Sequence, residues 1–350
     1  MKKIKLGIVG FGFMGHCDAQ MMETFSDEDI ELIAVADTNP EQIKDAPEGV
    51  ETYGSIDEML EKADINTVMI STPNPSHLEM VEKSAAAKKS IICEKPAAMT
   101  VKEFDRMMEA VEKNGVLFTV HQQRRWDKDY QIMKQVFNRK MVGEIYVIKS
   151  QLYGFNGNMH DWHVYPEMGG GMLYDWGVHL IDQILDMVPS KIDSIYADLR
   201  NVINEKVDDY FNILIKFQNG ITAEIELGTY YLTPKRAWFI GGNKGSAIID
   251  GFDGEGKIVR TAHLLENVPG KITMTAAGPT RSFGPAAPGL LLEEKLPETD
   301  AAQRDYFVHF LKAFRGEEDV IVKPEQVRRV LGVMEAVRES ARTGEAVRFE

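Results

Sequence analysis

The stretch MGGGMLYDWGVHLID, residues 168–182, sets three consecutive glycines ahead of Asp175, His179 and Asp182. Residues 172–187 read as a helix. Side chains three or four apart share a helix face, so these three polar residues line one stripe. Val178, Ile181, Leu185 and Val188 line another, suited to a core. An imidazole titrates near pH 6.5, so His179 has the intrinsic range of a general base. A carboxylate at Asp175 suits orienting that ring or bonding a substrate. Glycine in a helix interior costs ~1 kcal/mol relative to alanine. The run is therefore expected at the helix entry, where missing Cβ atoms let a ligand approach the backbone.

A second constellation lies near the start of the chain. GIVGFGFMG contains Gly10-x-Gly12-Phe13-Met14-Gly15. It follows a short apolar run and opens a helical stretch, and Asp37 stands about 20 residues on, the spacing of a dinucleotide-binding turn. In that reading Gly10 permits the tight turn, Gly12 lets the backbone meet a pyrophosphate, and Gly15 packs the helix on the sheet. The helix N-terminus faces the anion. Asp37 would accept from ribose hydroxyls and repel a 2′-phosphate. Thr38 and Asn39 follow it, with no arginine, so NAD is expected over NADP.

The elements that must position these groups fall into two sets. Over 1–124, apolar strands at 6–10, 31–37, 67–72, 90–95 and 116–121 alternate with helices at 14–25, 57–63, 76–88 and 100–114. That rhythm predicts a doubly wound parallel sheet covered on both faces. Over 125–350 it changes to strands of polar–apolar alternation. A helix is expected over YQIMKQVFNRK, a Pro/Gly-rich loop over 278–289, and closing helices at 301–315 and 324–343. This predicts an α+β domain with an open, largely antiparallel sheet, whose last helix packs back on the first domain. Ligands bind outside the carboxyl ends of parallel strands, which aims Lys95 at the cofactor crevice. Thr72, Pro73, Asn74, His77 and Glu94 share that edge and are expected at the cofactor.

The bulk numbers exclude other classes. The chain has 350 residues, enough for two cores. A net charge of −14 supplies no basic face for a nucleic acid. Two cysteines, Cys17 and Cys93, build no disulfide framework. Cys93 reads as a small buried residue rather than a nucleophile. No stretch approaches the ~20 apolar residues of a membrane span. The basic-then-apolar amino terminus is broken by glycines and lacks a cleavage site. A cytoplasmic protein is expected, with no metal, nucleic-acid or membrane partner.

Four motifs occur in order: Gly10-x-Gly12-x-x-Gly15, Thr72-Pro73-Asn74-x-x-His77, Glu94-Lys95-Pro96, and Gly169-Gly170-Gly171-x-Leu173-x-Asp175-x-Gly177-x-His179. Together they resemble the Gfo/Idh/MocA oxidoreductases, the family of glucose–fructose oxidoreductase and inositol dehydrogenase, over nearly the whole chain. The resemblance implies a Rossmann domain followed by a substrate domain. It implies that Lys95 contacts both the reacting hydroxyl and the nicotinamide, after a Lys95–Pro96 bond that is often cis. It implies that Asp175 and His179 face the substrate. His179 is the favoured base, with Lys95 as polariser and proton relay. Many relatives carry Trp-Arg before the glycines. Here the chain has Asp161-Trp162-His163, and Trp162 and His163 are substrate-site candidates in its place. Arg124 and Arg125 are read equally as substrate contacts or interdomain salt bridges. Tyr153, Asn156, Asn158 and His160 are read as sugar-binding or simply as surface. Asp182 is left as a partner of His179 or a polar residue beside the pocket.

The expected activity is oxidation of a secondary hydroxyl of a sugar, cyclitol or glycoside. Cleavage of a glycoside through a 3-keto sugar, with His163 or Tyr153 as a further base, is the second reading. A sensor that only binds the nucleotide is the third. EIELGTYYL and RAWFIGG suggest apolar strand faces, hence a homodimer or homotetramer.

Overall fold

The computed structural model describes residues 2–26, 29–154, 161–261, 272–281 and 289–349. The first sheet holds β1 (Ile4–Val9), β2 (Ile30–Ala36), β3 (Glu51–Tyr53), β4 (Thr67–Ile70), β5 (Ser90–Cys93) and β6 (Phe118–Val120). Their order is β3-β2-β1-β4-β5-β6, and every neighbouring pair is parallel. Order reverses between β1 and β4, where a doubly wound sheet opens its crevice. The helices are α1 (Phe13–Met22), α2 (Ile56–Lys62), α3 (His77–Ala86) and α4 (Val101–Asn114). Local signals fix their ends. The Thr100 hydroxyl accepts from the Glu103 amide at 3.2 Å to cap α4, a contact worth ~1 kcal/mol. Gly115 closes it in the left-handed region.

The second layer begins with α5 (Lys128–Asn138), β7 (Ile145–Tyr153) and α6 (Val178–Met187). Then follow β8 (Ile192–Arg200), β9 (Tyr210–Phe217), β10 (Thr222–Gly228), β11 (Trp238–Gly242), β12 (Gly245–Ile249) and β13 (Gly256–Thr261). The hairpin β14 (Ile272–Thr275) and β15 (Gly278–Arg281) stands apart as its own two-stranded sheet. Then come β16 (Leu291–Glu294), α7 (Arg304–Arg315), α8 (Pro324–Thr343) and β17 (Val347–Arg348). The nine-stranded order is β16-β13-β12-β11-β7-β10-β9-β8-β17. It is antiparallel except for β7 and β10, which run parallel. The sheet is thus mixed at its centre, where residues 154–209 separate β7 from the hairpin that brings β10 beside it.

Several expectations are corrected. The strand β3 is absent from the sequence reading, because Glu-Thr-Tyr is too short and polar to signal one. The first helix ends at Met22. Residues 172–187 do not start as an α-helix: Leu173–Gly177 form a π-helical turn before α6. The loop expected over 278–289 begins as β15. The face of the second sheet away from the helices is not apolar. Ile225, Leu227, Trp238 and Ile240 point inward and are buried. The outer side carries the ion pairs Lys149–Glu224 (2.6 Å) and Lys235–Glu226 (2.8 Å).

The closing helices do return to the first sheet. The Thr119 hydroxyl donates to the Val322 carbonyl, the Val101 amide to Glu335, and Arg328 pairs with Asp105. From α7, Arg315 pairs with Asp29 and Arg304 bonds Thr24. No helix among the described residues is long and apolar enough to cross a membrane.

Candidate active site

The glycine turn is built by close packing. Gly10 sits at φ +85°, and a Cβ there would lie 2.6 Å from the Ser71–Thr72 backbone. A Cβ on Gly15 would lie 2.4 Å from the Gly10 carbonyl. Gly12, the residue before α1, has nothing within 4 Å of its Cβ position. The space lies beside Gly12, where a pyrophosphate would approach the helix N-terminus. Phe13 opens the helix with its ring 82 % exposed, and Met14 is half-buried. One oxygen of Asp37 accepts from the Phe11 amide and the other from the Asn39 amide, both at 2.8 Å. Each oxygen keeps a second lone pair for a ribose hydroxyl. These residues fit a dinucleotide.

Two of the expected cofactor ligands are spent inside the protein. His77 is fully buried. Its Nδ1 faces the Pro96 carbonyl at 3.0 Å and its Nε2 the Thr72 carbonyl at 2.8 Å. A neutral imidazole has one N–H, so one of these carbonyls accepts from the ring, which lies enclosed between the two loops. Glu94 is buried as well, with Oε1 on His121 and Oε2 accepting from the Lys95 amide. Asn74 is also buried, and its Nδ2 reaches the Met168 carbonyl at 3.3 Å, linking the cofactor edge to the glycine run. Thr72 accepts from the Ser76 hydroxyl at 2.8 Å, while Pro73 is exposed. The Lys95–Pro96 bond is cis, as the resemblance implies.

Lys95 crosses from β5 to the second layer. Its Nζ donates to the Asp175 carboxylate at 3.0 Å and to the Asp175 carbonyl at 3.1 Å. Asp175 lies in the π-helical turn, whose wider spacing takes a carbonyl off the α-ladder. The glycines stand at the entry of this turn. Gly169 and Gly171 have φ of +75° and +101°, and a Cβ on Gly170 would strike the His163 carbonyl at 2.3 Å. Asp208 accepts from the Leu173 amide at 2.7 Å and secures the turn's start.

His179 is 3 % exposed. Its Nδ1 lies 3.0 Å from Gln122 Oε1. An amide oxygen only accepts, so Nδ1 carries the hydrogen and Nε2 keeps its lone pair. Burial, reinforced by the Lys95 and Arg124 charges, holds the imidazole well below its usual range. The ring is therefore neutral near pH 7.

The two arginines divide the roles left open for them. Arg125 is buried, with a bidentate pair to Asp182 at 2.7 Å and a longer contact to Asp186. This also resolves Asp182, which serves Arg125 and not His179. Arg124 bonds Asp127 at 2.9 Å and stacks its guanidinium 4.0 Å over Trp176. It remains beside the His179 wall. Trp162 and His163 stack on each other at 3.8 Å, and the backbone of His163 braces the glycines by accepting from the Gly171 amide. Tyr153 turns toward the Asp250 carbonyl at 3.4 Å. Asn156, Asn158 and His160 lie outside the described residues. Gln122, Asp208, Asp18 and His121 were not anticipated. Only the position of Gln122 and His121, just past the last parallel strand, offered a signal.

A glycine turn facing a lysine and a histidine across two layers suits a dinucleotide-dependent oxidoreductase. Sequence comparison narrows it. Residues 4–122 match the oxidoreductase family with an NAD-binding Rossmann fold, and residues 130–248 the GFO/IDH/MocA C-terminal domain. The chain belongs to the Gfo/Idh/MocA family. It is similar to the crystal structure of an NAD-binding protein from Listeria innocua, at 33 % identity and a TM-score of 0.89, covering 99 % of this chain and 97 % of that one. It is 23 % identical to scyllo-inositol 2-dehydrogenase (NADP(+)) IolW of Bacillus subtilis, over 99 % of this chain and 96 % of the relative. It is 27 % identical to 2,7-anhydro-N-acetylneuraminate hydratase of Escherichia coli, over 71 % of this chain and 68 % of that protein. Against an uncharacterized oxidoreductase of Schizosaccharomyces pombe the match spans 57 % of each chain.

Proposed function

We propose that the protein is an NAD-dependent dehydrogenase that oxidises a secondary hydroxyl of a sugar, cyclitol or glycoside. The observation that supports it is the Lys95–Asp175 contact beside a neutral His179 with Nε2 unprotonated. Gly10, Gly12, Gly15 and Asp37 would hold the dinucleotide, which supplies the hydride acceptor. His179 Nε2 takes the hydroxyl proton, and Gln122 keeps the ring in the tautomer that can do so. Lys95, held by Asp175, polarises the substrate oxygen and relays its proton to His179, where it ends. Arg124 and Trp176 wall the pocket with a cation and an aromatic face suited to a polyol ring.

Asp37 supports NAD over NADP, since no cation pairs with it among the described residues. A screen of inositols, hexoses and glucosides, followed by NADH absorbance with NAD and NADP side by side, tests both points. Reduction with no member of the screen would overturn the substrate class, and a preference for NADP the reading of Asp37.

The similarity to a hydratase favours one second reading, elimination through a transient keto sugar. Turnover without net NADH would establish it. Of the further bases it invokes, Tyr153 turns its hydroxyl to the Asp250 carbonyl and the His163 imidazole stacks on Trp162. A homo-oligomer and a cytoplasmic location stay as expectations carried from the sequence, and the outer-face ion pairs of the second sheet do not by themselves call for a partner. A monomeric mass by light scattering at micromolar concentration would sink the first.

A further inference from the structure

The tips of the first sheet carry a row of polar side chains that the proposed reaction does not use. Ser71 follows β4, Glu94 follows β5 and His121 follows β6, and Asp18 on α1 meets them. The Ser71 hydroxyl donates to Asp18 Oδ2 at 3.1 Å. Asp18 Oδ1 lies 3.8 Å from His121 Nδ1, which is 2.5 Å from Glu94 Oε1. Glu94 Oε2 accepts from the Lys95 amide at 3.1 Å. The row therefore ends on the backbone of the lysine that reaches Asp175. Asp18, Glu94 and His121 are 3 %, 4 % and 4 % exposed, and the Tyr306 and Phe307 rings of α7 cover His121 at 4.7 and 5.1 Å.

Two carboxylates share one imidazole here, so full ionisation would strand a negative charge. Burial opposes charge on both partners of the inner pair, but each sustains the other: Glu94 draws His121 up, and His121 draws Glu94 down. Asp18 is left over, and burial pushes its carboxyl up to about 7. The other titratable groups around the row, among the described residues, are Cys17 on α1, His77 on α3, Cys93 at the end of β5, Tyr306 on α7, Lys95 beyond Glu94, and His179 on α6. Burial pushes both thiols and the phenol further up, and His179 is held down. Asp18 is thus the carboxyl of this cluster placed to exchange a proton near neutrality.

We propose that the Asp18–His121–Glu94 row is a proton-coupled counter-charge for the Lys95 end of the crevice, releasing the Asp18 proton to solvent when a cationic nicotinamide binds and keeping it when the ring is neutral. The idea rests on the reading that this protein binds NAD. A nearby positive charge favours the ionised carboxyl, and a ligand that shifts an ionisation must exchange protons on binding. NAD and NADH differ in ring charge and are otherwise alike, so their difference isolates the effect.

The test is calorimetry of NAD and of NADH binding to the native protein at pH 7, in buffers of different ionisation enthalpy. A half-protonated carboxyl whose ionisation shifts tenfold goes from one half to about one tenth protonated. NAD should therefore release roughly 0.4 proton more than NADH. At pH 8.5, where Asp18 is already ionised, the difference should vanish. Asp18→Asn, which keeps the Ser71 contact, should abolish it at pH 7. Equal proton release by the two forms of the cofactor at pH 7 would overturn the proposal, as would an unchanged difference in Asp18→Asn. Nitrogen NMR of the imidazole is independent of the variant's folding. It should show the His121 ring titrating above a free imidazole in the native protein, and a ring titrating below one also overturns the proposal. If neither dinucleotide binds, the cofactor reading fails and the proposal falls with it.

Discussion

His121 and His179 are both nearly sealed from solvent, yet their neighbours push their ionisations in opposite directions. His121 stands between two carboxylates and is drawn up; His179 faces Lys95 and Arg124 and is pressed down. Burial disfavours the charged ring at both positions. The neighbours decide the outcome, by supplying opposite charge at one site and like charge at the other. The ring drawn toward its charged form is confined behind the sheet tips, beside two carboxylates. The neutral ring is left on the helix wall, where a lone pair is useful.

The contrast is most strongly tested by stability. His121→Leu strands Glu94 in a buried site and should lower the unfolding free energy by ~3–5 kcal/mol, the range for breaking a buried ion pair. His179→Leu leaves only Gln122 Oε1 without a partner and should cost ~1–2 kcal/mol. Urea titrations at pH 7 compare the two, and equal losses would erase the distinction. In catalysis the order inverts. Lys95→Ala and His179→Ala should each lower kcat by at least ~100-fold, or ~2.7 kcal/mol, on whichever substrate the screen finds. Near-native rates in both would remove the site assignment. A smaller effect is expected at Gln122. Gln122→Leu frees the imidazole to adopt either tautomer, and kcat should drop ~10-fold with little change in cofactor affinity.

The gentlest probe is pH. The raised ionisations of Asp18 and His121 stabilise the fold at low pH. The Asp18 contribution is complete below about 4 and lost as pH climbs to about 7; that of His121 is lost above 6.5. His179 has the opposite sign: its depressed ionisation stabilises above 6.5 and is lost as pH falls. Urea midpoints of Asp18→Asn should therefore decline less than native ones from pH 4 to 7. Parallel curves would contradict the assignment.

Much of this was legible in the sequence. The parallel sheet followed from apolar runs in strict alternation with helices, and the glycine turn from its place between strand and helix. Lys95, Asp175 and His179 stood out because each falls at a strand end or on one helix stripe, and the structure brings Lys95 onto Asp175. The buried row was not legible. Asp18 sits mid-helix, and His121 and Gln122 follow a strand in a polar string, so nothing local separates them from surface residues. Their roles arise only when three strand tips and the first helix are brought side by side. His77 and Glu94 misled for a related reason. Both occupy the right edge of the sheet, but neighbouring loops take up their hydrogen-bonding atoms. The π-helical turn was hidden because π and α turns share their residue preferences.

The return of α7 and α8 to the first sheet has a consequence for how the protein is made. Translation delivers all six parallel strands long before Tyr306, Phe307 and Val322 exist, so the nascent first domain emerges with His121 uncovered and one flank bare. It can assemble its strands early, but it cannot finish its own core. The dinucleotide half reaches its final form only after the substrate half has been synthesised and its tail has folded back, which ties cofactor-site maturation to completion of the whole chain.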